Sequence, residues 1–207
     1  PTPYPDYPHP QAEGVTMYLT PGAPQQGGLT TNQSGSSGTE TLEDNFSFSG
    51  DALAQAEWTD HRLMYVTPAL SDSLHISGVP EITVSVASNK QAANLSVWLV
   101  SLPWNSSSDA VITDNIITRG WADPQNHDSI SESEPLVPGE FYTFSFELQP
   151  DDQIIPAGQQ IGLMIFSSDR DYTLRPDPGT ELTLDLANTS LTLPIVGGVN
   201  AISFSNE

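Results

Sequence analysis

The stretch FYTFSFELQP, residues 141–150, alternates apolar and polar side chains with a period of two. In an extended chain successive side chains point to opposite faces, so Tyr142, Phe144, Phe146 and Leu148 face inward. Thr143, Ser145, Glu147 and Gln149 then face outward, whereas a helix would scatter both sets around its axis. The same period runs through EITVSVAS, which places Ile82, Val84 and Val86 on one side and Glu81, Thr83 and Ser85 on the other. RLMYVTPAL, QIGLMIFSS, ELTLDL and SLTLPIV continue the series. ANLSVWLVSL, residues 93–102, is apolar at nearly every position, which predicts a central strand buried on both faces. Between these runs lie SGVP, LVPGE, QPDD, IPAG, RPDPG and VGG, each carrying turn-forming Gly or Pro. No amphipathic run exceeds about two helical turns, a length that is marginal without tertiary support. About nine short strands with this punctuation predict an all-β chain folded as a jelly-roll β-sandwich.

Five prolines fall within the first ten residues, without apolar periodicity. Residues 1–14 therefore read as a Pro-rich linker or arm, extended along another surface or joining two domains. Residues 15–207 read as a single β-sandwich domain, a length that sandwiches of one domain commonly reach. Within it, QQGGLTTNQSGSSGTETLEDN near 25–45 is rich in Gly, Ser, Thr and Asn and predicts a long, flexible, exposed loop. The beginning has neither a basic region nor an apolar one of the kind a signal peptide carries, and it reads as the interior of a longer polypeptide.

Charge narrows the partners. With 26 acids against 5 bases the formal charge is −21, and Lys90 is the single lysine. Such a surface repels phosphate backbones and anionic lipid, so no nucleic-acid partner is expected. The acidity reads first as a means of staying soluble. No apolar run approaches the roughly 20 residues of a membrane span. The chain has no cysteine, which excludes disulfides, thiolate metal sites and cysteine nucleophiles. Scarce lysine and abundant Ser, Thr and Asn suit an extracellular or secreted bacterial protein, with a cytoplasmic one as the other reading.

Signals of chemistry are sparse. A Gly-x-Ser-x-Gly nucleophile elbow is missing; GSSG at 35–38 is one residue short. His9, His61, His75 and His127 lack the paired spacing of a zinc site. Asp169, Asp171 and Asp177 offer hard oxygen ligands near turns, but Arg170 and Arg175 lie among them, so ion pairs are the expected use. No catalytic, cofactor-binding or metal-ligating residue is therefore assigned, and no cofactor is expected. Trp58, Trp104 and Trp121 fall near loops, where exposed indoles would form a sugar platform, so a carbohydrate-binding module is the rival reading. Trp98, inside the most apolar run, reads as core. Five Asn-x-Ser/Thr sequons, at Asn32, Asn45, Asn94, Asn105 and Asn188, are close to what this composition supplies.

One stretch asks for more. IITRGWADPQN, residues 116–126, places one of five basic side chains beside an indole at the end of a β-branched run. Gly120 there permits a tight turn and Pro124 fixes the backbone after it. A planar guanidinium at 119 can bridge Asp123 and nearby carbonyls, or reach another domain, in a way lysine cannot. Trp121 can pack beneath it or at a domain interface. The candidate interdomain contacts are Arg119, Trp121, Asp123 and Asn126; a self-satisfied corner within the sandwich is the competing use.

RLMYVTPAL…LHISGVP, ANLSVWLVSLPW, IITRGWADPQN, the segment from LVPGEFYTFSFELQP to RPDPGT, and LPIVGG together resemble the C-terminal domain of Xaa-Pro dipeptidyl-peptidases. That is the serine-peptidase family that includes cocaine esterase and related acyl hydrolases. The match covers about residues 60–198 in order. The resemblance implies a galactose-binding-domain-like jelly roll appended to an α/β-hydrolase domain of the same polypeptide, which carries the Ser, Asp and His of the triad. This chain would then be non-catalytic, packing on the hydrolase domain and helping to shape its active-site cleft. The parent enzyme, a possible homo-oligomer, would release Xaa-Pro dipeptides through an acyl-enzyme. The same accessory domain from an esterase or acylase is the alternative within the family.

Overall fold

The computed structural model describes residues 6–105, 107 and 114–205. Thirteen strands form in chain order: β1 Ala12–Thr20, β2 Gly27–Thr30, β3 Thr39–Glu43, β4 Leu63–Val66, β5 Leu74–Gly78, β6 Glu81–Ser88 and β7 Leu95–Leu102, then β8 Ile116–Ala122, β9 Phe141–Glu147, β10 Asp151–Ile155, β11 Gln160–Phe166, β12 Glu181–Asp185 and β13 Ser190–Val196. Among the described residues one α-helix, α1 (Gly50–Gln55, six residues), sits between β3 and β4. The hydrogen-bonded path runs β3-β12-β6-β13-β1-β2-β4-β11-β7-β8, with β9 on β6, and β5 between β10 and β13. Every pairing of these strands is antiparallel except β2 with β4.

The path folds back so that inward residues from both of its ends meet. Leu42 of β3, Leu182 and Leu184 of β12, Leu163 of β11 and Val97 of β7 share one buried cluster. This is a β-sandwich. The alternation is honoured along β6, where Ile82, Val84 and Val86 are buried. On β9, Tyr142, Phe144 and Phe146 also turn inward, but they stay half-buried because β9 pairs with β6 alone.

β4, β7 and β11 are covered on both faces. Leu95, Val97 and Leu99 of β7 join the main cluster, whereas Trp98 and Val100 join a second one with Met64, Val66, Met164 and Phe166. Leu53 and Ala54 of α1 cover that second cluster. The helix approaches so closely that a Cβ on Gly50 would stand 2.2 Å from a ring carbon of Trp98.

Two expectations are corrected. The segment near 25–45 is not one long loop, since β2 and β3 lie within it. Its glycines and threonines serve packing: a Cβ on Gly27 would collide with the Tyr65 ring at 2.6 Å, and Thr41 shares a hydroxyl contact of 2.9 Å with Thr183 across β3 and β12. Only Leu42 of β3 faces the core, so β3 has the composition of a loop. The Pro-rich stretch also ends before residue 14, because β1 begins at Ala12. Ahead of it the chain runs over its own domain: the Tyr7 hydroxyl donates to Gly78 O (3.1 Å) and the His9 amide to Ser77 Oγ (2.9 Å). Residues 1–5 of the expected linker lie outside the described residues.

Candidate functional site

β8 ends the path, and its register on β7 sets Arg119 opposite Trp98 and Trp121 opposite Ser96. Two residues apart on a strand, Arg119 and Trp121 share a face, and the cross-strand neighbour of the guanidinium is the buried indole of Trp98. The Arg119 guanidinium lies 5.2 Å from the Trp98 ring centre, 5.8 Å from that of Trp121 and 4.7 Å from that of Tyr172. Trp121 and Tyr172 stack, with centroids 5.0 Å apart and planes 28° from parallel. The electron-rich faces of these rings attract the cation and hold its plane.

The hub of the cluster is Asp169, just past β11 and 1% exposed. Its Oδ2 accepts both indole N–H groups, Trp98 Nε1 at 3.0 Å and Trp121 Nε1 at 3.2 Å. The Asp169 carbonyl accepts the amides of Tyr172 (3.0 Å) and Thr173 (2.9 Å), and this one turn sets Tyr172 over Arg119. Burial raises the Asp169 carboxyl above its ordinary value; the two indole bonds and the Arg119 charge pull it back in part.

The motif residues therefore do other work than expected. Arg119 does not bridge Asp123: its hydrogen bond runs from Nη1 to the Tyr172 hydroxyl at 3.1 Å. Asp123 instead caps the short 3₁₀ turn Pro124–Asn126, its Oδ1 accepting from the Gln125 amide. Gly120 lies within β8 and makes no turn; a Cβ there would meet Leu148 Cδ2 at 2.4 Å and Leu148 Cα at 3.1 Å. The glycine is needed because the chain before β10 crosses its face. Asn126 Nδ2 donates to Ile130 O at 3.2 Å. Trp121, Asp123 and Asn126 come together with Ile130, Phe144 and Phe146 around a recess of about 360 Å³, and Arg119 adjoins it through Trp121.

The remaining candidates separate. Trp104 packs against the second cluster beside Leu102 and Ile116, while Trp58 is exposed after α1. No ring contact joins Trp58, Trp104 and Trp121 among the described residues. Asp171 pairs with Arg170 at 3.5 Å on the surface, and the Asp177 carbonyl accepts from Thr180. Among the described residues no group of three or more His, Asp or Glu side chains is placed to hold a metal ion.

One residue escaped sequence reasoning. Arg62 is 2% exposed and its guanidinium donates only to backbone carbonyls: Leu53 (3.3 Å), Gln25 (3.0 Å), Ala56 (2.6 Å) and Pro24. Burial lowers its pKa to about 10. It ties the turn between β1 and β2 to α1. The available signal was an arginine opening an otherwise apolar strand, HRLMYV.

Fold and site together define a β-sandwich domain that presents an aromatic and guanidinium face. Residues 1–207 match the family described as the X-Pro dipeptidyl-peptidase C-terminal non-catalytic domain, and the chain belongs to that family. A Rhodopirellula baltica protein named "Putative Xaa-Pro dipeptidyl-peptidase" is 64% identical over 198 residues, covering 96% of this chain and 32% of that protein. A Lactobacillus delbrueckii subsp. lactis Xaa-Pro dipeptidyl-peptidase is 28% identical over 167 residues, covering 67% of this chain and 21% of its own length. The chain thus spans at most about a third of these relatives. Among solved structures, an α-amino acid ester hydrolase superposes with a TM-score of 0.66 at 16% identity, over 88% of this chain and 36% of the other. An aminopeptidase from a marine-sediment archaeon gives 0.68 at 14% identity, over 92% and 38%. At these identities they share the fold.

Proposed function

We propose that this domain serves a longer serine hydrolase acting on Xaa-Pro peptides, packing on its α/β-hydrolase domain and walling part of the active-site cleft through the face around Arg119, Trp121, Asp123 and Asn126. The observation that carries this reading is a run of exposed apolar groups on that face. Ile130 is 95% exposed beside Trp121 in the recess, Tyr172 stacks on Trp121 while 55% exposed, and Leu174, two residues on, is 87% exposed. Large apolar side chains left open together mark an interaction surface. The rigid cluster beneath them supplies a docking platform that needs little ordering on contact. Family membership supports a jelly-roll domain of the galactose-binding-like type in this role.

The test is to replace the matching third of the Rhodopirellula relative with this chain and to compare hydrogen exchange in the fused and isolated forms. Protection should rise at residues 119–130 and 170–175 on fusion. Ile130→Asp with Leu174→Asp should remove that gain and lower Xaa-Pro-p-nitroanilide turnover. Unchanged exchange across both segments would reject this face as the docking surface.

A further inference from the structure

The five basic side chains of this chain are used unequally. Arg62 spends its donors on four carbonyls inside the fold, and Arg170 pairs with Asp171. Arg175 lies 4.6 Å from the Phe46 ring centre. Among the described residues, Arg119 alone has its guanidinium set against three rings, those of Trp98, Trp121 and Tyr172. A guanidinium carries five N–H donors. Only one of them donates to an acceptor among the described residues, and that acceptor is a neutral hydroxyl.

No carboxylate lies within ion-pair distance of Arg119 among the described residues. Asp169, whose carboxyl feels the Arg119 charge, uses Oδ2 for the two indoles, and neither of its oxygens accepts a hydrogen bond from the guanidinium. The rings of Trp98, Trp121 and Tyr172 meanwhile crowd the guanidinium, with ring centres 5.2, 5.8 and 4.7 Å from its carbon, and restrict its movement. A cation held in one orientation, half-buried, with its fork unspent, fits one kind of partner best: a planar carboxylate accepting two parallel N–H bonds. Ordering the side chain has already been done by the stack, so little rotamer freedom is lost when the partner arrives. Phosphate is disfavoured, since a chain of charge −21 repels a dianion more strongly than a single carboxylate.

We propose that Arg119 is a preformed receptor for an Asp or Glu carboxylate from the hydrolase part of the longer polypeptide. This rests on the packing proposed above and adds its polar anchor. The source follows from two observations. The relatives extend to about three times the length of this chain, so most of their polypeptide lies beyond it. Tyr172, 55% exposed, packs against the guanidinium, and Ile130, 95% exposed, lines the recess beside Trp121; buried together on docking, these apolar groups would exclude water from the ion pair and strengthen it.

The experiment uses the same fusion with a protease site at the junction. After cleavage, the dissociation constant of the two parts is measured by dilution and size-exclusion chromatography. Arg119→Gln keeps a planar side chain but removes the charge, and should weaken association about thirtyfold or more. Near-UV circular dichroism of the aromatic cluster confirms folding of each variant. Arg119→Lys serves as a second probe: treated with a water-soluble carbodiimide, it should yield a cross-linked peptide joining position 119 to an Asp or Glu of the hydrolase part. Lys90 is the one other lysine in this chain, so background is low. Association of R119Q within about twofold of the parent, with no cross-link from a folded R119K, would sink the receptor. If L174D still dissociates the parts in that case, the packing stands without it. If neither R119Q nor L174D loosens the parts, the docking face itself is wrong.

Discussion

Arg62 and Arg119 carry the same group into two regions that treat it in opposite ways. Around Arg62, two chain segments turn their carbonyls towards a buried charge that no acid pairs with among the described residues. Around Arg119, three rings lie close to the guanidinium and leave all but one of its donors without an acceptor among the described residues. Carbonyl oxygens consume donors, whereas ring faces attract the charge and consume none. The first arrangement joins a helix to a turn and has nothing left to offer. The second fixes a cation in place while keeping its hydrogen-bonding capacity for something outside. In a chain of five bases, position relative to backbone and ring decides which arginine is structural and which is presented.

The strongest challenge to this contrast is Arg62→Met. It takes the guanidinium donors from the carbonyls of Pro24, Gln25 and Ala56 and leaves Leu53 O only the Ala56 amide, and it should lower unfolding free energy by about 3 kcal/mol or more in urea titration. A loss below about 1 kcal/mol would mean that water replaces the guanidinium and that the region is not held by it.

A second measurement uses the acid that only the Arg119 region possesses. The Asp169 carboxyl is raised by burial above the ordinary 3.8, so the folded chain binds its proton more readily than the unfolded chain. The associated stability is fully present below 3.8 and is lost as pH rises through the raised value. Relative to Asp169→Asn, the parent chain should therefore gain stability on acidification from pH 6 towards 4. Asp151, raised in the same direction, is common to both and cancels in the difference. A gap independent of pH would show that the indoles and Arg119 fully offset the burial.

The smallest effect belongs to Tyr172→Phe, which removes the internal acceptor of Arg119 but keeps the ring. Stability of the isolated chain should change by less than about 1 kcal/mol, with the near-UV signal of the stack retained. A larger loss would place Arg119 among the structural arginines, alongside Arg62.

Much of this was readable in the sequence, and unevenly so. The alternation of FYTFSFE and EITVSVAS specified strands and their inward faces, because period two is a local property of extended chain. The double-sided burial of β7 was legible for the same reason. β3 was not: a strand that buries a single leucine at the end of the path satisfies its backbone by pairing, which leaves composition free to look like a loop. At the site, Arg119, Trp121, Asp123 and Asn126 were singled out together, and the structure sets Trp121, Asp123 and Asn126 around one recess with Arg119 against it. Their partners were misread. Asp169 had the look of a surface turn acid, and Gly120 of a turn residue, because neither the approach of Leu148 nor the two indoles is visible from the neighbours in sequence.

What the chain's own order of residues determined is the class of fold, the inward face of most strands, and the stretch in which an unusual cation would matter. Only the tertiary structure decided what that cation meets. Asp169 stands 71 positions from Trp98 and 48 from Trp121, and Tyr172 stands 53 from Arg119. The register of β8 on β7 and the turn after β11 bring them together. The carbonyls around Arg62 were beyond reach for a deeper reason: every residue has one, so no choice of side chain announces where a backbone oxygen will point.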